Sequence, residues 1–195
     1  MKTLILTLLF TPISVIFSQN GWLQLNPGFG HNYSSIHFYD INNGMACGTG
    51  GVIIYTTNGG LNWLSSSTGT SFNLNDIRMF SSTIAIASGD NQLILRTVNG
   101  GLNWTIIHQG SPVNNSITNL NVFSDGSAAA FSTYYQSPYE YTYIYKSTNM
   151  GLNWQIMQTY VANRWIHFVN VNSGWAYGST STGPPLNQYY LDINY

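Results

Sequence analysis

Hydrolysis of an acidic sugar needs arginines converging on a carboxylate, a nucleophile assisted by a second carboxylate, and a general acid. The residues of those types in this chain are three arginines, Arg78, Arg96 and Arg164, and one glutamate, Glu140. Metal binding would draw on four histidines, of which His37 and His167 occupy matching places in the phrases SIHF and WIHF. A third set is chemically different. Tyr134, Tyr135, Tyr139 and Tyr141 crowd the stretch STYYQSPYEYTY, where they offer contact area and hydroxyls rather than acid-base groups. Which of these sets is brought together depends on the elements that carry them.

Those elements are declared by a repeated phrase. TTNGGLNW, TVNGGLNW and STNMGLNW end at Trp63, Trp104 and Trp154, 41 and then 50 residues apart, and Trp22 in NGWLQLNPG stands 41 residues before Trp63. A period of this size fits one four-stranded propeller blade per repeat. Ahead of each box lie three short runs rich in β-branched and aromatic residues and bounded by Gly, Asn, Asp and Ser, which is the strand signature. In the first unit they fall at 36–38, 45–47 and 52–56; in the second at 77–80, 84–87 and 93–97; in the third at 117–123, 128–131 and 141–146. A fourth unit opens with RWIHFVNVNSGWAYGST, and the spacing puts a box near position 186 that the residues there do not supply. The expected fold is all-β: a β-propeller of about four antiparallel four-stranded blades, in a ring that is incomplete or truncated. The units are 19–30 (the last strand of a blade, holding Trp22), 31–68, 70–110, 115–160 and 163–195, the last incomplete.

The phrase fits the Asp-box pattern S/T-x-D-x-G-x-x-W at Thr56, Asn58, Gly60 and Trp63, at Thr97, Asn99, Gly101 and Trp104, and at Ser147, Asn149, Gly151 and Trp154. Glycine there supplies backbone angles closed to other residues, a short polar side chain caps the turn's own amides, and the tryptophan anchors the hairpin. Asparagine replaces the pattern's aspartate in all three copies, which gives up the charge-assisted part of the cap. These twelve residues are read as structural, and no catalytic residue is expected among them.

The meander also sorts the candidate chemistry. His37, Arg78, Asn121 and His167 share one place on the first strand of successive units and are expected to line an axial channel, since that strand is innermost in other propellers. Ligands on separate blades do not converge closely, so no metal and no cofactor is expected. Arg96 directly precedes a box, away from that channel, which disperses the arginines and argues against a sialidase-like glycosidase. The third unit's extra length falls in 132–141, expected to be a loop on the edge opposite the boxes, with the four tyrosines as candidate ligand-binding residues; residues 179–185 are read as a similar loop.

Composition narrows the partners. Only 6% of residues are charged and the formal net charge is −1, so neither nucleic acid nor anionic lipid finds an electrostatic footprint. Lys2 ahead of an apolar run at 4–17, with Ser18 as a small residue, reads as a signal peptide over 1–18. An exported protein, extracellular, at the cell surface or periplasmic, with no membrane span after cleavage is therefore expected. The single Cys47 lies in an apolar repeat position and is expected to be buried and inert.

With its GWAYG-like second strands, IIYT and ILRT third strands and T-x-N-G-G-L-N-W boxes, the chain resembles the photosystem II stability and assembly factor-like propellers, a branch of the Asp-box (BNR) repeat proteins. The resemblance covers most of the chain after residue 18. It implies a non-enzymatic, exported protein-binding or assembly module with a protein partner. A carbohydrate-binding surface module and a sialidase-like glycosidase are the alternatives, and an open ring would favour oligomers.

Overall fold

The computed structural model describes residues 30–110, 115–136, 139–159, 162–179 and 187–192. The expected signal peptide and the Trp22 strand lie outside them, as do residues 180–185 of the loop expected at 179–185; Ser179 is the last residue of a strand. Blade 1 comprises β1 (Tyr33–Phe38), β2 (Gly44–Gly48), β3 (Ile53–Thr56) and β4 (Leu64–Ser65). Blade 2 comprises β5 (Leu74–Met79), β6 (Ala85–Gly89), β7 (Ile94–Thr97) and β8 (Thr105–His108). Blade 3 holds β9 (Ile117–Val122), β10 (Ala128–Gln136), β11 (Tyr139–Ser147) and β12 (Gln155–Thr159), and blade 4 holds β13 (Ala162–Asn170), β14 (Ser173–Ser179) and β15 (Asn187–Asp192). Strands pair in chain order within every sheet, so each unit is an antiparallel meander, with four strands in blades 1 to 3 and three described strands in blade 4.

Two expectations are corrected. The extra residues of the third unit are not a loop: β10 and β11 continue pairing through Thr133↔Thr142, Tyr134↔Tyr141, Tyr135↔Glu140 and Gln136↔Tyr139. Tyrosine and threonine favour extended, pleated backbone, and that preference carries the hairpin beyond its blade. The box place in the fourth unit is also not near 186. Gly174 pairs with Leu191 as Gly44 pairs with Thr56, so the register puts the first box position at Leu191.

All three boxes close the same turn. Thr56 Oγ1 accepts from Gly60 N (3.0 Å) and Asn58 N (3.3 Å), while Asn58 Oδ1 accepts from Asn62 N (2.9 Å) and from the Thr56 hydroxyl (3.0 Å). Thr97 with Asn99, and Ser147 with Asn149, repeat these bonds within a few tenths of an ångström. Met150 takes a positive φ of 54° where the other copies have Gly59 and Gly100. It is held there because its N–H donates to Gly126 O (2.8 Å) and its carbonyl accepts from Arg96 Nε (2.7 Å).

The core lies between blades rather than within them. Met45, Cys47, Ile53 and Tyr55 of blade 1 pack on Ile77, Met79, Ala87, Leu95 and Trp104 of blade 2. Ile86 and Ile94 of blade 2 meet Leu120, Ala128, Ala130 and Tyr145 of blade 3, and Ala129, Phe131 and Ile144 meet Ile166, Phe168 and Ala176 of blade 4. Alternation along each strand supplies one apolar face to each neighbour, which is why second strands such as AIASG are buried throughout. Cys47 is fully buried in the first of these layers, and desolvation pushes its thiol up to about 12, which keeps it protonated and unreactive. Polar stitches add to the apolar contacts: Ser67 O accepts from Trp104 N (3.2 Å), and Lys146 Nζ donates to Asn172 Oδ1.

Candidate binding site

The first strands of the first three blades lie side by side, β1 against β5 and β5 against β9, while β13 lies against β10 and β11. His37, Arg78, Asn121 and His167 hold equivalent register places, opposite Met45, Ile86, Ala129 and Trp175. His37 and Arg78 are brought into one polar cluster. Asn121 Nδ2 donates to Asn119 Oδ1 (2.7 Å), and His167 is exposed on β13.

The organiser of the cluster is a residue the sequence reading passed over. Asp76, buried on β5, accepts through Oδ1 from Ser35 Oγ (2.7 Å), Ile77 N (2.9 Å) and Arg78 Nη1 (2.5 Å), and through Oδ2 from Leu120 N (2.8 Å). One carboxylate therefore ties β1, β5 and β9 together. Ser35, Asp76 and Asn119 stand two residues before His37, Arg78 and Asn121, and the two-residue pleat puts both rows on the same side. That i, i+2 pairing of polar residues in apolar strands is the signal that could have found them.

Electrostatics make this edge a hydrogen-bonding surface with no net charge. Arg78 is neutralised by Asp76. His37 accepts from Met79 N at Nδ1 (3.4 Å); burial lowers its pKa, nearby Arg78 lowers it further, and Asp76 opposes both. Burial also lowers His108, whose ring lies 5.8 Å from that of Tyr145. The unfolded chain takes up these protons near pH 6.5 while the folded chain resists them, so their stabilising contribution is complete above about 6.5 and is lost as pH falls below it. A lower urea midpoint is expected at pH 5.5 than at 7.5, and replacing both histidines with asparagine should flatten the difference. Equal midpoints in the parent protein would contradict the assignment.

The second element is the tyrosine ribbon. Among the described residues, β9 pairs with β10 no further than Ser132 and β12 pairs with β11 no further than Thr142, so the tip is described as a two-stranded ribbon. Cross-strand pairs share a face, which places Tyr134, Tyr141 and Tyr143 on one side of the ribbon. Tyr143 joins the row unannounced by sequence. Tyr134 and Tyr141 are half-buried. The ribbon leaves its blade at the end opposite Ser147, the first residue of the box.

An acid-base constellation is not assembled among the described residues. Arg78 is held by Asp76, Arg96 is bound to a box carbonyl, and no group of three or more His, Cys, Asp or Glu is placed to hold a metal. The side chains of Glu140 and Arg164 lie outside the described set.

The model of one protein family, Photosynthesis system II assembly factor YCF48, matches residues 15–182. The chain belongs to the YCF48 family. Among solved structures it is similar to YCF48 bound to a D1 peptide, at 20% identity and a TM-score of 0.58 over 86% of this chain and 56% of that one. YCF48 from Cyanidioschyzon merolae follows at 15% identity and 0.53, over 81% and 56%. The chain thus spans about half the length of these YCF48 structures. A GH74 enzyme from Niastella koreensis shares the fold at 15% identity and 0.57, over 82% of this chain and 28% of its own. No curated protein sequence matches the chain. The YCF48 likenesses, each covering about half of the known chain, establish an incomplete propeller.

Proposed function

We propose that this chain is an exported, non-enzymatic propeller that binds an extended peptide segment of a partner protein during its assembly. The observation that carries the reading is family membership, joined to a YCF48 structure that holds a D1 peptide. The chain's own geometry supports it: a charge-neutral polar edge formed by the first strands, and a tyrosine row on a paired ribbon, where each ring offers large contact area at low ordering cost. The export element rests on residues 1–18 and is tested by N-terminal sequencing of the protein recovered outside the cytoplasm; a retained Met1 would count against it.

A D1 peptide and an array of unrelated peptides provide the binding test. Retention of apolar or aromatic peptides is expected, with Tyr134→Ala weakening it about tenfold or more, as removal of a central aromatic anchor does. Failure to retain any peptide would remove the reading. The tyrosines also favour a glycan-binding module, which would show as oligosaccharide retention lost in the same variant. Glycoside turnover abolished by Glu140→Gln would instead establish an enzyme.

A further inference from the structure

The residues that flank the box differ from copy to copy. Ahead of it stand Tyr55, Arg96 and Lys146, and directly after its tryptophan stand Leu64, Thr105 and Gln155. In blade 2 this place is closed: Arg96 Nε donates to Met150 O of the next box, and Trp104 is 8% exposed. In blade 3 it is open. Lys146, Thr148, Asn149, Asn153, Trp154 and Gln155 line a cleft of about 220 Å³, and all six are described. Trp154 is half-buried; it packs against the core between blades 2 and 3, and its Nε1 donates to Gly151 O (3.0 Å), which fixes the ring. Asn149 Oδ1 accepts from Ser147 Oγ (3.1 Å) and Asn153 N (3.0 Å), so its carboxamide N–H groups remain for a ligand. Lys146 Nζ donates to Asn172 Oδ1, and among the described residues no carboxylate lies within ion-pair distance of it.

We propose that this cleft binds one carboxylated sugar ring, a hexuronic acid unit of a polysaccharide. A pyranose presents apolar C–H surface together with hydroxyls that donate and accept, and an indole beside carboxamides and a threonine hydroxyl answers both. The volume suits a single ring, being below the roughly 300–1,000 Å³ of sites for drug-sized ligands. Lys146 selects the charge. Its ammonium keeps two protons after the bond to Asn172, and a carboxylate takes them as charge-assisted hydrogen bonds that a neutral sugar does not make. An acidic peptide side chain would answer the lysine alone and leave the indole wall and the amides unused. None of the six residues lies on the first strands or at the ribbon tip, so this site stands apart from the one that binds peptide.

The indole N–H resonance of Trp154, assigned by its loss in Trp154→Phe, gives a readout inside the cleft. In NMR titrations it should move with methyl glucuronoside, and methyl glucoside should bind about threefold to tenfold more weakly, the share of one charge-assisted bond at a half-exposed lysine. Lys146→Gln should bring the two sugars to the same Kd, and Lys146→Arg should keep the preference. Gln155→Leu, a residue type the fold already holds at Leu64, should weaken both. If Lys146→Gln loses its strand signal in circular dichroism, titration of the parent in about 1 M salt, which screens charges beyond roughly 3 Å, carries the same comparison. No shift with either sugar overturns the proposal, including the case in which residues outside the described set fill the cleft. Equal Kd values for the two sugars in the parent overturn it as well. So does a shift with acetate or a glutamate peptide as strong as that with the glucuronoside, which would make the cleft a plain anion site.

Discussion

Replacing Asp76 with alanine is expected to cost about 3–5 kcal/mol, because it leaves two backbone amides without their acceptor, at roughly 1–3 kcal/mol each, beside a partly exposed guanidinium. Four donors from three strands converge on this carboxylate, and its removal strands Leu120 N and Ile77 N together with the Arg78 guanidinium. At about 2–4 °C per kcal/mol for a chain of this size, the melting temperature should fall by roughly 6–20 °C. Asp76→Asn keeps one acceptor oxygen but turns an amide N–H2 donor toward existing donors, so an intermediate loss is expected. In urea titrations the double variant Asp76→Ala with Arg78→Ala should lose less than the sum of the single changes, since removing both partners leaves no orphaned charge. An Asp76→Ala protein within 1 kcal/mol of the parent would show that the cluster does not hold the blades together.

Gly151→Ala is the second large effect. Gly151 has φ of 72°, and a Cβ there would lie 2.5 Å from Ile86 Cγ2 of the preceding blade. Left-handed strain of roughly 1–2 kcal/mol adds to overpacking of roughly 1–3 kcal/mol. Gly50→Ala separates the two contributions, because Gly50 has φ of 71° with nothing within 4 Å of the added carbon. The packing share is the difference between the two losses, and Gly151→Ala should cost less in an Ile86→Ala background, where the Cγ2 methyl is gone. Equal losses at the two glycines would mean that the box turn is not pressed against its neighbour.

The repeat was legible because the box turn is held by bonds within a few residues, so its pattern survives in the linear chain. Thr56, Asn58 and Gly60 need nothing from elsewhere to adopt it. The row through His37, Arg78, Asn121 and His167 could be read from register for the same reason. The place of Asp76 beside that row is readable in the same way, but its bonding is not, because its partner Leu120 is 44 residues away and meets it only when two blades pack. The tyrosine hairpin reads as a loop on length alone, although its composition carries the other signal: Ser-Pro at 137–138 is a turn-forming dipeptide, and the flanking Tyr and Thr residues are strand formers. Local spacing puts the fourth box five residues early because the connection between β14 and β15 is longer than its counterparts, a change that spacing does not record.

Asparagine in place of aspartate in the boxes bears on acid tolerance. Asp40 caps the first hairpin of blade 1 by accepting from Asn43 Nδ2, Asn42 N and Asn43 N, and Asp125 accepts from the Ser127 hydroxyl and Ser127 N in blade 3. Their hydrogen bonds hold both carboxyls below the usual range, so those two turns loosen once acid protonates them. Asn58, Asn99 and Asn149 have no proton to gain. The three box turns therefore keep their geometry through an acid excursion that releases the hairpins beside them, and a neutral cap, weaker at pH 7, is the one that lasts.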